Sequence, residues 1–278
     1  MRHWQQVICI SAALLLQSSM AASAQASSPS NVVRACQPAH RVQECSEPDE
    51  LGSRLKRDEQ ILRDWPALAR YREDNARLGP AVGEKRVVFM GDSITDFWGR
   101  QHGQFFFGKP YINRGISGQI TGQMLIRFRP DVIWLRPKVV VILAGTNDIW
   151  DNNTPAALLP IEDNLMSMTE LAKANGIGVV LASVLPVCDA FDPQTPHRSP
   201  QRIIDLNAWM KAYAATNGLV YVDYYSAMLD EHGMLKQALT YDCVHPNDRG
   251  YAVMEPLANA AIETAFRDIR ARSSRTRP

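Results

Sequence analysis

The sequence has almost no excess of charge of either sign. Its 278 residues include 30 lysines and arginines and 29 aspartates and glutamates, for a formal net charge of +1. Proteins that hold nucleic acid or an anionic membrane surface mainly by electrostatics need a clear basic excess. The composition therefore gives no case for either partner. We interpret the basic tail from Arg267 to Arg277 as a solvated chain end.

The sequence also lacks an N-terminal apolar run long enough to cross a membrane. The apolar stretch at residues 7–16 is shorter than the about 20 residues that a transmembrane helix needs. It follows a basic start and precedes small residues, which is typical of a secretory signal peptide. The pattern allows cleavage after Ala24 or Ala26, and we favour Ala26. We therefore expect residues 1–26 to be removed and the mature chain, without an integral membrane span, to be secreted or periplasmic.

Cysteine is scarce, and no Cys-x-x-Cys spacing occurs among the five cysteines. That absence argues against a zinc site built from cysteine. Cys9 lies in the predicted signal peptide, and the even number that remains favours disulfides in an oxidising compartment. Three pairings are open. We predict Cys36–Cys45, which would close a short local loop, and Cys188–Cys243, which would join two loops at one edge of the predicted sheet.

The chain divides into an N-terminal extension and a main domain. Directly after the signal peptide the sequence is rich in serine, proline, glutamine and acidic residues, which is typical of a loop. Residues 51–78 carry apolar side chains at helical spacing, interrupted at Pro66, which predicts one kinked helix or two short ones. We place the boundary at Gly79-Pro80. Residues 27–80 are then a loop and helical extension, and residues 81–278 are the main domain with its basic tail.

Short apolar runs alternate with helical patterns throughout the main domain. Runs that are apolar along their whole length, separated by helices, are typical of a parallel sheet covered on both faces. This predicts a doubly wound α/β domain with a mostly parallel, five-stranded sheet, in which ligands bind beyond the carboxyl ends of the strands. The predicted strands are residues 87–90, 111–113, 139–143, 178–182 and 220–222, and the predicted helices are residues 120–128, 155–175, 201–217 and 248–270.

Residues able to carry chemistry follow these strands one after another. Ser93 comes on a Gly-Asp-Ser turn after the first strand, which is the position that a nucleophile needs. A glycine-rich loop around Gly118 follows the second strand, and Asn147 follows the third. After the last strand, Asp242 precedes His245 by three residues, a spacing at which the carboxylate can accept the imidazole Nδ1–H. His245 Nε2 would then be free to take a proton from a serine.

Each of these motifs has a simpler interpretation. A glycine-rich turn can cradle phosphate, although neither the G-x-G-x-x-G nor the P-loop pattern is present. The Gly-Thr-Asn-Asp segment can be an ordinary turn with a helix cap, and an Asp-x-x-His pair can be a surface pair or a metal site. Their succession at the carboxyl ends of neighbouring strands favours one catalytic site.

Taken together, these blocks resemble those of the SGNH hydrolases, also called the GDSL family of serine esterases and lipases. The resemblance covers about residues 84–265 and implies a flavodoxin-like fold. It implies Ser93 as nucleophile, His245 as general base and Asp242 as the partner that orients the base. It also implies that the reaction needs no metal and no cofactor.

The same resemblance implies an oxyanion hole. Its donors would be the backbone N–H groups of Ser93 and Gly118 and the side chain of Asn147, with Gly115 as the rival to Gly118. Two aromatic residues, Trp98 and Trp150, closely follow the first and third blocks. They would form a platform for the substrate or simply pack in the core.

We therefore expect a secreted serine esterase that hydrolyses carboxylic esters through an acyl-enzyme. No long apolar lid is evident, which favours short acyl groups or O-acetyl groups on glycans. The alternatives are an acylhydrolase of the lysophospholipase or thioesterase type and a non-catalytic glycan-binding module on the same fold. The expected partner is a small-molecule or glycan ester, and the oligomeric state is left open.

Overall fold

The computed structural model describes residues 48–81, 85–150 and 157–275. The predicted signal peptide and the predicted Cys36–Cys45 disulfide lie outside these residues. From Asp49 onward the chain forms one compact unit that includes both the segment before residue 80 and the sheet domain.

A single sheet of five parallel strands forms the centre of this unit, as predicted. Its spatial order is β2-β1-β3-β4-β5, which is a doubly wound order. The direction of winding reverses between β1 and β3, and ligands bind in such folds where this reversal occurs. The strands are β1 (Val87–Gly91), β2 (Tyr111–Gly115), β3 (Val139–Leu143), β4 (Gly178–Ala182) and β5 (Val220–Val222).

The register of the central strands brings their carboxyl ends level with one another. Gly91, the last residue of β1, pairs with Gly115 on one side and with Leu143 on the other. Leu143 in turn pairs with Ala182 of β4. The residues that follow these strands therefore emerge side by side at one edge of the sheet.

The described residues contain nine helices. The four long helices predicted for the main domain are present, each within a few residues of the predicted bounds. Three short helices that directly follow a strand, α3, α5 and α8, were not predicted, because four or five residues are too few to show a helical period. The helices are α1 (Pro48–Arg63), α2 (Arg72–Arg77), α3 (Ser93–Phe97), α4 (Thr121–Asp131), α5 (Thr146–Ile149), α6 (Leu158–Ala174), α7 (Pro200–Asn217), α8 (Tyr224–Met228) and α9 (Asp248–Arg275).

Both faces of the sheet are buried, which explains why its strands are apolar along their whole length. On one face, Val88, Val140 and their neighbours pack against α4, α6 and α7. On the other, Phe89, Val141 and their neighbours pack against α8 and α9. Each fully buried side chain of this size contributes about 1.5–3 kcal/mol of hydrophobic free energy. The sheet is thus packed between two hydrophobic cores, and the polar residues that follow its strands lie at its carboxyl edge.

The segment before the sheet forms two helices rather than one kinked helix. Helix α1 ends at Arg63, three residues before Pro66, because proline disfavours helical geometry in the residue before it. In the turn that follows, the Asp64 carboxylate accepts the backbone N–H groups of Leu68 and Ala69 at 2.8 and 2.9 Å. Among the described residues, no helix combines the length and the apolarity that crossing a membrane requires.

Candidate active site

Ser93 lies at the point where β1 turns into α3. The turn is tight, because a Cβ on Gly91 would lie 2.1 Å from Thr95 Oγ1 and 2.8 Å from the Leu143 carbonyl oxygen. The Asp92 carboxylate caps the new helix by accepting the Ile94 N–H at 2.9 Å. Ser93 is thereby held, largely buried, at the sheet edge where the other strands end.

The Asp242 carboxylate is organised around His245. Its Oδ1 accepts the backbone N–H groups of Val244 at 3.0 Å and of His245 at 2.7 Å, and its Oδ2 lies 2.6 Å from His245 Nδ1. Burial acts to raise the pKa of Asp242, but the hydrogen bonds from the His245 side chain and backbone outweigh it, so the pKa is lowered. Asp242 is therefore ionised at neutral pH and able to hold a proton on Nδ1.

His245 connects this carboxylate to Ser93. Its Nε2 lies 2.8 Å from Ser93 Oγ, across 152 residues of sequence. Because Nδ1 faces a carboxylate, the neutral ring carries its hydrogen there and Nε2 is the acceptor. The imidazole centroid lies 5.1 Å from that of the Phe97 ring and 5.7 Å from that of the Tyr241 ring. The arrangement permits proton transfer from the serine hydroxyl to the imidazole.

A disulfide between Cys188 and Cys243 anchors the loop that carries Asp242 and His245. It links residues 55 apart in sequence, with 4.7 Å between their Cα atoms. The Cys188 N–H also donates to the Cys243 carbonyl oxygen at 3.2 Å. On the other side of the loop, the Thr240 hydroxyl donates to the His245 carbonyl oxygen at 2.7 Å. The loop is thus held both covalently and by hydrogen bonds.

The two candidate glycines after β2 differ in what their N–H groups do. The Gly115 N–H donates to Asn113 Oδ1 at 2.8 Å, and a Cβ there would lie 2.1 Å from the Asp96 nitrogen. Gly118 is exposed, has a left-handed φ of 78°, and would have open space around a Cβ. Its N–H makes no hydrogen bond within the described residues. Gly118 is therefore the glycine with a donor left for a ligand.

Asn147 follows β3 in the short helix α5, after Gly145 with a φ of 121°. Its Nδ2 donates to the Gln119 carbonyl oxygen at 3.0 Å. An amide nitrogen carries two hydrogens, so this bond leaves one for a ligand oxygen. The adjacent Asp148 accepts the Thr121 N–H at 3.0 Å, which ties this block to the start of α4. Burial raises the pKa of Asp148 despite the opposing hydrogen bonds from Thr121.

Asp92 is a buried carboxyl group to which the sequence assigned no role. One oxygen caps α3, whereas Oδ2 has no hydrogen-bond partner within the described residues. Burial is the main cause that raises its pKa to about 6; the Ile94 N–H and the charge of His245 act in the opposite direction. The sequence signal was its place in the Gly-Asp-Ser turn, which does not reveal burial.

The two tryptophans considered as a platform have different positions. Trp98 is only 2% exposed, and its Nε1 donates to the Gln104 carbonyl oxygen at 3.2 Å. Its ring packs into the core, so the expectation that it forms a substrate platform is wrong. Trp150 is 42% exposed. Its ring stacks on His197 with centroids 4.6 Å apart, and the Arg198 guanidinium lies 4.3 Å from the ring centroid.

Comparisons with known proteins agree with this architecture. The profile of the GDSL-like lipase/acylhydrolase family matches residues 89–253, a range that contains the Ser93 turn, the glycine loop, Asn147 and the Asp242–His245 pair. A crystal structure of a GDSL-like lipase from Bacteroides thetaiotaomicron is 46% identical, with a TM-score of 0.66, and the match covers 72% of this chain and 98% of the other.

Two further comparisons involve acetylxylan esterases from Geobacillus stearothermophilus. One curated sequence is 28% identical over 223 residues, covering 68% of this chain and 98% of that protein. A solved structure of such an esterase, 22% identical with a TM-score of 0.52, covers 67% of this chain and 96% of its own and shows the shared fold. The chain therefore belongs to the GDSL-like lipase/acylhydrolase family and is a carboxylic ester hydrolase.

Proposed function

We propose that the protein is a serine esterase in which Ser93, His245 and Asp242 act as a catalytic triad. The observation that carries this proposal is the continuous pair of contacts from Asp242 Oδ2 to His245 Nδ1 at 2.6 Å and from His245 Nε2 to Ser93 Oγ at 2.8 Å. A serine hydroxyl is a poor nucleophile at its own pKa, so a base must remove its proton during attack. Asp242 would stabilise the imidazolium that results.

The reaction would proceed in two halves. Ser93 Oγ attacks the ester carbonyl carbon while His245 takes the hydroxyl proton, and the tetrahedral intermediate then expels the alcohol, which receives that proton. Water next attacks the acyl-enzyme, with His245 again as base, and releases the carboxylic acid and free Ser93. The ester, water and the side chains of the protein account for every atom and proton in both halves of the reaction.

Three donors would stabilise the tetrahedral oxyanion: the backbone N–H groups of Ser93 and Gly118 and the Nδ2–H of Asn147. The Gly118 N–H supports this assignment better than the Gly115 N–H, which is engaged by Asn113. Donors that are fixed before the reaction act where negative charge develops, and each is worth about 2.7–4 kcal/mol in the transition state.

We propose short acyl groups, in particular O-acetyl groups on glycans, as the substrate class. The curated acetylxylan esterase that is 28% identical to this chain supports this choice. The partly exposed Trp150 ring, three residues after Asn147, also supports it, because aromatic rings stack on sugars. A secreted or periplasmic location fits the Cys188–Cys243 disulfide, since such bonds persist in oxidising compartments.

The test begins with Ser93→Ala and, as a matched control, Ser53→Ala on the exposed surface of α1. We expect Ser93→Ala to fold normally by circular dichroism and to lose hydrolysis of p-nitrophenyl acetate. Ser53→Ala should retain both. An organophosphonate probe should label the wild type at Ser93. Turnover by Ser93→Ala, or an absence of labelling, would refute the catalytic assignment and favour a glycan-binding module.

The substrate class is tested by a panel of p-nitrophenyl esters from acetyl to octanoyl, together with acetylated xylooligosaccharides. We expect acetyl to be preferred and acetate to be released from the oligosaccharide. A preference for eight carbons or more would refute the acetyl assignment and support a lysophospholipase or thioesterase type of acylhydrolase.

A further inference from the structure

Gln119 contacts one of the proposed oxyanion donors and is the chain neighbour of another. Its carbonyl oxygen accepts the Asn147 Nδ2–H at 3.0 Å. Its backbone also continues directly from Gly118, whose N–H is a second proposed donor. Gln119 is only 3% exposed although it lies in a loop. A shift of this one residue would displace both donors.

The side chain of Gln119 is held at both of its polar atoms. Its Oε1 accepts the Arg127 Nε–H at 2.5 Å, and its Nε2 donates to the Pro66 carbonyl oxygen at 2.8 Å. The amide group therefore joins α4 to the segment before the sheet. A side chain fixed at both ends holds its backbone far more firmly than one that extends into solvent.

Arg127 extends this connection to the strand that carries Ser93. It is fully buried on α4, where its Nη2 donates to the Gly91 carbonyl oxygen at 3.0 Å and its Nη1 pairs with Asp131 at 3.1 Å. A buried guanidinium is costly unless its donors are satisfied. Here they link the end of β1, just before the Ser93 turn, to Gln119. Arg127 thus contacts both the strand that leads to Ser93 and the loop that carries Gly118 and Gln119.

The N-terminal segment also contacts the loop that carries Gly118 and Gln119. Besides the Pro66 contact, the Trp65 carbonyl oxygen accepts the Gln123 Nε2–H at 2.7 Å. The buried Tyr71 hydroxyl donates to the Gly115 carbonyl oxygen and accepts from Arg100 Nη2 at 3.1 Å. Residues 65–71 therefore contact the glycine loop at its start, at its end and on the following helix. These residues precede the part of the chain that the family profile matches.

We propose that Gln119 is a positioning residue for the oxyanion hole and that residues 65–71 of the N-terminal segment complete its support. The inference rests on the proposed function, in which Asn147 and Gly118 stabilise the transition state. Donors of this kind act by being fixed before the reaction, and small misplacements are costly. The segment before the sheet is then part of the catalytic machinery and does more than pack against the domain.

The first test replaces Gln119 with methionine, which has a similar volume and neither hydrogen-bonding atom. Because the donors act on the transition state, we expect kcat to fall by about 10- to 100-fold while KM changes by less than about twofold. Gln101→Met, at an exposed glutamine, is the matched control and should leave both constants unchanged. An unchanged kcat in a folded Gln119→Met variant would overturn the proposal.

A gentler variant covers the case in which Gln119→Met does not fold. Tyr71→Phe removes only the hydroxyl, which donates to the Gly115 carbonyl oxygen and accepts from Arg100. We expect kcat to fall by about 3- to 10-fold at constant KM. Tyr213→Phe is its control, since it removes a hydroxyl that contacts Thr169 Oγ1 at 2.8 Å on α6. The proposal would be overturned if Tyr71→Phe and Tyr213→Phe lowered thermal stability equally and neither lowered kcat. The Tyr71 hydroxyl would then have a purely structural role.

A double-mutant cycle separates this inference from the proposed function. If Gln119 acts through Asn147, Gln119→Met should cost less in an Asn147→Ala background than in the wild type. Equal costs in both backgrounds, with Asn147→Ala itself impaired, would refute the positioning role and leave the proposed function intact. Full activity in Asn147→Ala would instead refute the oxyanion assignment on which both depend.

Discussion

Cys243 forms its disulfide with Cys188 from a position between the two residues of the proposed acid–base pair. It follows Asp242 directly, lies two residues before His245, and has a left-handed φ of 71°. Non-glycine residues adopt that conformation only rarely. The cross-link therefore fixes an unusual backbone turn at the point where the Asp242 carboxylate accepts the His245 N–H.

Loss of this disulfide should lower both stability and activity. We expect the double variant Cys188→Ser, Cys243→Ser to lose about 2–4 kcal/mol of unfolding free energy, because the bond constrains a long loop of the unfolded chain. We also expect a lower kcat at temperatures where the variant is still folded, since the loop would no longer hold His245 in place. Urea denaturation and p-nitrophenyl acetate kinetics measure the two effects.

Reduction of the wild-type protein is the control for that variant. Dithiothreitol should reproduce its loss of stability and of kcat, and reoxidation should restore both. The variant treated in parallel corrects for any effect of reducing the predicted Cys36–Cys45 disulfide. A reduced enzyme with an unchanged kcat would show that hydrogen bonds alone hold the His245 loop.

Asn147→Ala should impair the chemical step rather than substrate binding. If its Nδ2–H stabilises the oxyanion, its removal costs about 2.7–4 kcal/mol, so kcat should fall by about 10²- to 10³-fold with little change in KM. Asn175→Ala is a suitable control, because that residue is exposed at the end of α6 and its Nδ2 donates to the Leu171 carbonyl oxygen. A rise in KM at constant kcat would indicate a binding role for Asn147 instead.

Asp92→Asn should change the way stability depends on pH. Burial raises the pKa of Asp92 to about 6 from an ordinary value of 3.8. Between these values the folded protein holds a proton that the unfolded chain has released, so wild-type stability falls as pH rises. The pKa difference corresponds to about 3 kcal/mol at most. The unfolding free energy of Asp92→Asn relative to wild type should therefore increase by up to that amount from pH 4 to pH 8.

The comparison between two pH values makes that test robust. The asparagine keeps an acceptor for the Ile94 N–H but places an amide nitrogen where Asp92 Oδ2 has no partner in the described residues. That cost does not depend on pH and cancels in the comparison. Asp163→Asn, at an exposed position of α6, is the control. A relative stability that stays constant across the range would contradict the buried, proton-holding carboxyl.

Features that depend on neighbouring residues in the sequence could be predicted, whereas features that depend on contacts between distant residues could not. Strands such as Val139–Leu143 are buried on both faces, so their composition alone indicates a covered parallel sheet. The direction of the Trp98 ring is not a local property, because the ring packs against Phe89 of β1 and against Tyr251 of α9, which is distant in sequence. The position of Trp98 after the Ser93 turn therefore suggested a substrate platform, whereas its ring is buried in the core.

The Gln119 network could not be predicted for a similar reason. Its carbonyl contact to Asn147 spans 28 residues and its side-chain contact to Pro66 spans 53. Both depend on the conformation of a loop whose Gly118 has a positive φ. The sequence did carry one signal, an arginine at position 127 within the apolar pattern of α4. A charge on the buried face of a helix indicates a polar partner in the core, but it does not identify that partner.

Trp150→Ala should separate binding of a glycan from hydrolysis of a simple ester. The ring is partly exposed and is supported by His197 and Arg198, so it can offer a firm surface to a sugar ring. We expect KM for an acetylated xylooligosaccharide to rise by about 3- to 10-fold, and KM for p-nitrophenyl acetate, which has no sugar to stack, to stay the same. Trp134→Ala is the matched control, because Trp134 is 68% exposed but precedes β3 at the opposite edge of the sheet. An equal loss with both substrates would mean that Trp150 supports the site as a whole, and the stacking role would have to be abandoned.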